Sequence, residues 1–148
     1  MTNQLIDPYR AYNFKVKVSG IDDGQFHFTK CSAISVTVQD TEYREAGNEL
    51  VTRQVPTRVN YEPITLSYGV TDSRALWDWL MQAAAGKVER KNVSIFIQDS
   101  RGSTTKEQWD LVAAWPQKWQ GWEMDASGGD LAIAQLTLVY EQLNRKKI

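Results

Sequence analysis

The stretch from Ile64 to Gly86, ITLSYGVTDSRALWDWLMQAAAG, changes its period part-way along. Ile64, Leu66, Tyr68 and Val70 fall on one face, with Thr65 and Ser67 on the other, which is the two-residue period of a half-buried strand. Beyond Val70 the period lengthens. Asp72 is a good N-cap residue, Ser73 to Ala85 has helical composition, and Gly86 stands where a glycine commonly ends a helix. The spacing predicts one α-helix over residues 72–85. At about 100° per residue, Trp79, Ala83, Leu76, Leu80, Ala84, Trp77 and Met81 fill an arc of roughly 200°. A helix lying on one sheet needs an apolar stripe of only about 100°. The excess predicts a second cover, either another part of this chain or a neighbouring subunit.

Outward from this stretch the two-residue period dominates. Tyr12, Phe14, Val16 and Val18 alternate with Asn13, Lys15 and Lys17. Ile34, Val36 and Val38 alternate with Ser35, Thr37 and Gln39. Val93, Ile95 and Ile97 share a face, as do Ala132, Ala134, Leu136, Leu138 and Tyr140. Glu107 to Trp115 and Trp119 to Met124 are weaker strands. Gly20, Asp23-Gly24, Arg101-Gly102 and Gly128-Gly129 supply turns. Many short strands with a single helix predict a mainly β fold, a barrel or sandwich of antiparallel strands with one packed α-helix.

Residues 40–60, DTEYREAGNELVTRQVPTRVN, interrupt that order. Both charge signs are mixed there and the apolar residues do not alternate cleanly. Irregular connections beyond about 12–15 residues are uncommon inside a domain. Tyr43, Leu50, Val51, Val55 and Val59 make the segment too apolar for a disordered linker. It reads as an extended arm, a hairpin projecting from the body, whose apolar side chains need somewhere to be buried.

Composition excludes several classes. A chain of 148 residues reads as a single domain, residues 1–148. Such a domain buries roughly 70% of the surface that its unfolded chain exposes, enough for one real core. Lys+Arg is 17 and Asp+Glu is 18, a net charge of -1, without the basic excess of a nucleic-acid binder. Specific nucleic-acid recognition is not expected. Cys31 is the only cysteine, so neither an intrachain disulfide nor a four-cysteine zinc site can form. One cysteine suits a reducing cytosol. Met1 to Arg10 lacks the apolar core of a secretory signal, and no apolar run approaches the roughly 18 residues of a membrane span. Arg145-Lys146-Lys147 is too short for a membrane anchor and reads as a solvated tail.

Catalytic options are few. His27, the only histidine, and Cys31 are close in sequence, but no motif surrounds them, and an incidental strand histidine is the plainer reading. Asp22-Asp23, Asp125 and Asp130 do not match calcium-loop spacing, and Gly128-Gly129-Asp130 lacks the context of a phosphate loop. No catalytic residue, metal or cofactor is assigned. Six tryptophans is the strongest compositional signal. Trp77 and Trp79 belong to the helix, and Trp109, Trp115, Trp119 and Trp122 to the C-terminal half. They fill the core and subunit interfaces, or else Trp115, Trp119 and Trp122 form the sugar-stacking face of a monomeric carbohydrate-binding module. Lys15, Lys17, Ser35, Thr37, Gln39, Thr65 and Ser67 form solvent faces without aromatic rings, which suits a smooth hydrated wall better than a stacking platform.

An ordered series of segments carries a resemblance over nearly the whole chain. It runs from Asp7-Pro8-Tyr9-Arg10 to Glu42-Tyr43-Arg44-Glu45, then Gly69-Val70-Thr71-Asp72-Ser73-Arg74 and Leu76-Trp77-Asp78-Trp79. Gly86-Lys87-Val88-Glu89-Arg90-Lys91-Asn92, Ala114-Trp115-Pro116 and Asp125-Ala126-Ser127-Gly128 complete it. Together they resemble the tail-tube family of contractile phage tails and phage-tail-like injection systems. This chain departs from the family at one point, having Ala46 before Gly47 where members often have a second glycine.

The resemblance implies a structural protein with an Hcp-like fold, not an enzyme. It implies homo-hexameric rings stacked into an inner tube, a surrounding sheath protein, a baseplate or tube-initiator protein, and luminal protein or DNA cargo. Assembly would take place in the bacterial cytoplasm, within a phage tail or tail-like particle. On that reading Tyr43, Arg44, Glu45, Leu50, Val51 and Arg53 are inter-ring arm contacts. Trp77, Trp79, Leu80 and Met81 are helix contacts within the ring or the core. Lys15, Lys17, Ser35, Thr37, Thr65 and Ser67 are lumen-facing candidates.

Overall fold

Alternating apolar residues place their side chains on one side of the pleat, and most of the predicted strands form on that basis. The computed structural model describes residues 14–21, 27–43, 53–70, 73–98, 105–124, 126–128 and 132–147. Their elements run β1 (Phe14–Val18), β2 (Phe28–Cys31), β3 (Val36–Tyr43), β4 (Arg53–Tyr61) and β5 (Ile64–Gly69). They continue with α1 (Ala75–Ala84), β6 (Lys91–Gln98), β7 (Thr105–Gln120), β8 (Ile133–Val139) and β9 (Gln142–Lys147). Strands β1-β6-β7-β8-β5-β2 follow one another across an antiparallel sheet, with β9 also paired to β7. Strands β3 and β4 pair only with each other among the described elements.

β7 replaces two predicted strands with one. Its first half pairs with β6 and β9 and its second half with β8, so a single strand serves both halves of the sheet. The turn between the halves is a bulge. Val112 and Ala113 stand against Asn92 alone, Ala113 takes φ 55, and its N–H donates to Asn92 Oδ1 at 3.2 Å. An extra residue bends and twists a strand, which is how one strand turns a corner. Pro116 follows at a second register shift, where a missing N–H is tolerated. Residues Gly121 to Met124 lie beyond the strand.

The core lies on the inner face, where Val16, Val18, Ile64, Leu66, Val93, Ile95, Leu111, Leu136 and Leu138 are buried. Each such aliphatic side chain contributes about 1.5–3 kcal/mol on burial. Leu76 and Trp79 of α1 join the same cluster, and the helix packs on β7.

Three expectations need correction. The helix begins at Ala75, with Arg74 at the N-cap and no side-chain cap; Asp72 lies outside the described residues. Its other end is as expected. Gly86 at φ 83 lets its own N–H reach Ala83 O and that of Lys87 reach Gln82 O, satisfying two terminal carbonyls. Second, the projecting hairpin begins at Val36, not at residue 40. Val36 and Val38, read as part of a body strand, are 48% and 55% exposed, because β3 pairs with β4 and with no other described strand. Third, the basic C-terminal segment is strand β9. Arg145 donates to the buried Glu107 carboxylate and lies 5.1 Å over the Trp109 ring, while Lys146 pairs with Asp110 at 3.1 Å.

Candidate assembly surfaces

The helix divides its apolar arc between two environments. Trp79 is buried and donates its Nε1–H to Glu89 O at 2.6 Å. Leu80 is half-buried. Trp77 and Met81 remain 39% and 40% exposed, so the second cover predicted for this helix is incomplete within one chain. Trp77 meets Trp119 of β7 edge-on, with centroids 4.8 Å apart. Beside them lies a cavity of about 420 Å³ lined by Tyr68, Val70, Arg74, Trp77, Trp119 and Trp122. A second cavity of about 500 Å³ opens between β1 and β6 on one side and β2 on the other, at the root of the hairpin.

The hairpin carries the exposed valines Val36, Val38, Val55 and Val59. Of the predicted arm contacts, Tyr43 and Arg53 pair in register at its outer end, and Arg53 is exposed. Arg44, Glu45, Leu50 and Val51 lie outside the described residues.

The polar candidates differ in exposure. Lys15 and Lys17 stand exposed on the outer face of β1. Ser35 and Thr37 are exposed at the start of the hairpin. Thr65 is half-buried, its hydroxyl 3.1 Å from that of Thr137. Ser67 departs from expectation: it is only 6% exposed, standing in register between the longer Lys30 and Gln135. Sequence reading missed the rest of the polar wall beside Lys17. Ser94 and Gln108 both donate to Asp110 Oδ1, at 2.9 Å and 2.7 Å, and Lys146 closes the group. Partial burial works against the Asp110 carboxylate, but these hydrogen bonds and the ammonium outweigh it and hold its pKa below the usual value. The signal was the alternation of Ser94 with Val93 and Ile95; the missing part was β9.

The family model of the T4-like virus tail tube protein gp19 matches residues 10–144. The chain belongs to that family. As a tail tube protein it is a structural component of a phage tail or tail-like contractile injection system. Solved structures share its fold. A chain in the structure of the anti-feeding prophage cap, which terminates the tube, is 23% identical with TM-score 0.87, over 100% of this chain and 97% of that one. A chain of the sheath-tube complex of the PVC extracellular contractile injection system, in its extended state, is 24% identical with TM-score 0.82, covering 95% and 93%. Hcp1 from Flavobacterium johnsoniae is 14% identical with TM-score 0.64, covering 92% and 96%. No curated protein matches.

Within the tail tube protein, the chemistry weighed for the alternatives fares poorly. Burial pushes the Cys31 thiol up to about 11, so it stays protonated at neutral pH, the opposite of an activated nucleophile. Trp115, Trp119 and Trp122 are each half-buried, and Trp119 spends its N–H on the Tyr68 hydroxyl at 2.7 Å. Trp119 and Trp122 line the cleft beside Trp77, and family membership leaves the carbohydrate-binding reading without support. No described helix is long and apolar enough to cross a membrane.

Proposed function

We propose that this tail tube protein forms homo-hexameric rings that stack into a hollow inner tube. A sheath protein surrounds the tube, a baseplate or tube-initiator protein starts it, and protein or DNA cargo passes through its lumen. The particle is assembled in the bacterial cytoplasm, and the protein acts through assembly, not catalysis. The observation that carries this reading is the hairpin. A two-stranded arm with four exposed valines, paired with no other strand among the described residues, is stable only when something covers it. The exposed Trp77 and Met81 ask for a neighbour in the same way. The sheet ends β1 and β2, each paired on one side among the described strands, offer edges that ring closure removes.

On this reading the arm residues Tyr43, Arg44, Glu45, Leu50, Val51 and Arg53 reach the adjacent ring. Lys15, Lys17, Ser35, Thr37 and Thr65 contribute to a hydrated wall that lets cargo pass without adhering. Negative-stain electron microscopy of concentrated protein, with light scattering on the same sample, tests the reading. Six-fold rings or tubes are expected. A monomer that stays monomeric even when a baseplate complex is supplied as nucleator overturns it.

A further inference from the structure

We infer that the tryptophan-lined cleft beside α1 is the socket that receives the hairpin of a second copy of this chain. The inference rests on the stacking reading above and specifies which surface accepts the arm.

The hairpin segregates its charges by face. The register sets Val38 opposite Val59 and Asp40 opposite Pro56, with Thr57 and Arg58 bulged against Gln39. Alternation then puts Val36, Val38, Asp40 and Glu42 on one face of β3, with Val59 beside them. Arg53 pairs with Tyr43 and so belongs to the opposite face, as does the bulged Arg58. One face of the arm is therefore apolar at its base and acidic farther out, and all of these residues are exposed.

The cleft has the complementary character. Its walls are Tyr68, Val70, Trp77, Trp119 and Trp122, and its charged member is Arg74, exposed at the N-cap of α1. The described ion pairs do not include Arg74. A volume of about 420 Å³ accommodates several aliphatic groups. Among the described residues the hairpin valines are exposed and the cleft keeps its volume, so the hairpin does not fill the cleft of its own chain. The valines would enter between the indole rings while Asp40 or Glu42 meets the Arg74 guanidinium. Charge complementarity of this kind sets the register of the contact more than its strength.

Two full-length variants test the pairing, each in a Cys31→Ser background. One carries Val38→Cys on the hairpin and the other Val70→Cys at the cleft. They are mixed and treated with a short bismaleimide crosslinker. The expected product is the mixed dimer, in clear excess over either self-pair. Adding Arg74→Glu should lower its yield by roughly tenfold, since like charges then face each other. Combining Arg74→Glu with Asp40→Lys and Glu42→Lys should restore it, and folding of each variant is checked by circular dichroism. Wild-type tubes without preferential Val38–Val70 crosslinking overturn the socket and leave stacking intact. Absence of both crosslink and assembly, with nucleator present, overturns both. Crosslinking that is indifferent to the Arg74 reversal overturns the role of charge in the contact.

Discussion

Trp119 donates its indole N–H to the hydroxyl oxygen of Tyr68 at 2.7 Å, tying β7 to β5 across the intervening β8. The bond also fixes the ring against which Trp77 packs edge-on. It thus couples the sheet to the part of the helix that remains exposed. Tyr68→Phe keeps the ring and removes the acceptor. We expect a loss of about 1 kcal/mol, the usual net contribution of one hydrogen bond, read as a lower urea midpoint with an unchanged slope.

The two helix tryptophans should behave oppositely. Trp79 is buried and hydrogen-bonded, so Trp79→Ala should cost about 3–5 kcal/mol in chemical denaturation of the unassembled chain. Trp77→Ala should cost the unassembled chain less, about 1 kcal/mol of aromatic contact plus part of its area. Its larger effect should appear as fewer or shorter tubes under the microscope. Equal stability losses for the two variants would contradict the division of the helix into a core side and an assembly side.

Asp110 links stability to acid. Its folded-state pKa lies below the unfolded value, so its contribution is present above the unfolded pKa and is lost as pH falls through the folded one. Stability should fall on acidification below about pH 4, the ordinary carboxylate range. Asp110→Asn should flatten that part of the profile, measured as urea midpoint against pH. An unaltered acid limb would show that Ser94, Gln108 and Lys146 do not favour the charged form.

Cys31 should label slowly. Burial raises its thiol pKa to about 11, and Sγ donates to Ser32 O at 3.4 Å. Iodoacetamide at pH 8 should react far faster with urea-unfolded protein than with native protein. The native rate should climb only as pH approaches 11. Native labelling at the unfolded rate would place Cys31 in an open site.

Much of the fold is legible wherever a residue's role depends on near neighbours. The alternation through Ile64, Leu66 and Tyr68 and the C-terminal stop at Gly86 each depend on a few adjacent positions. So does the burial of Val16 and Val18 opposite exposed Lys15 and Lys17. Even the over-wide helix could be recognised, because seven apolar residues on a known pitch have a fixed arc.

Where the sequence was misread, the deciding partner was far away along the chain. Val36 and Val38 alternate as a body strand does, and only pairing with Val59 and Tyr61 assigns them to the projecting hairpin. Ser67 looked like an open polar position and is closed over because Lys30 and Gln135 arrive beside it from other strands. Arg145 looked like part of a solvated tail, until β9 laid it against Glu107 and Trp109. Composition and periodicity determined that this chain makes antiparallel strands, one helix with an apolar excess, and an arm too apolar to remain in water. Tertiary structure alone decided which strands are neighbours, and hence which of those apolar side chains are left for another molecule. Burial belongs to the residues that close over a side chain, and in a β-protein most of those come from distant parts of the chain.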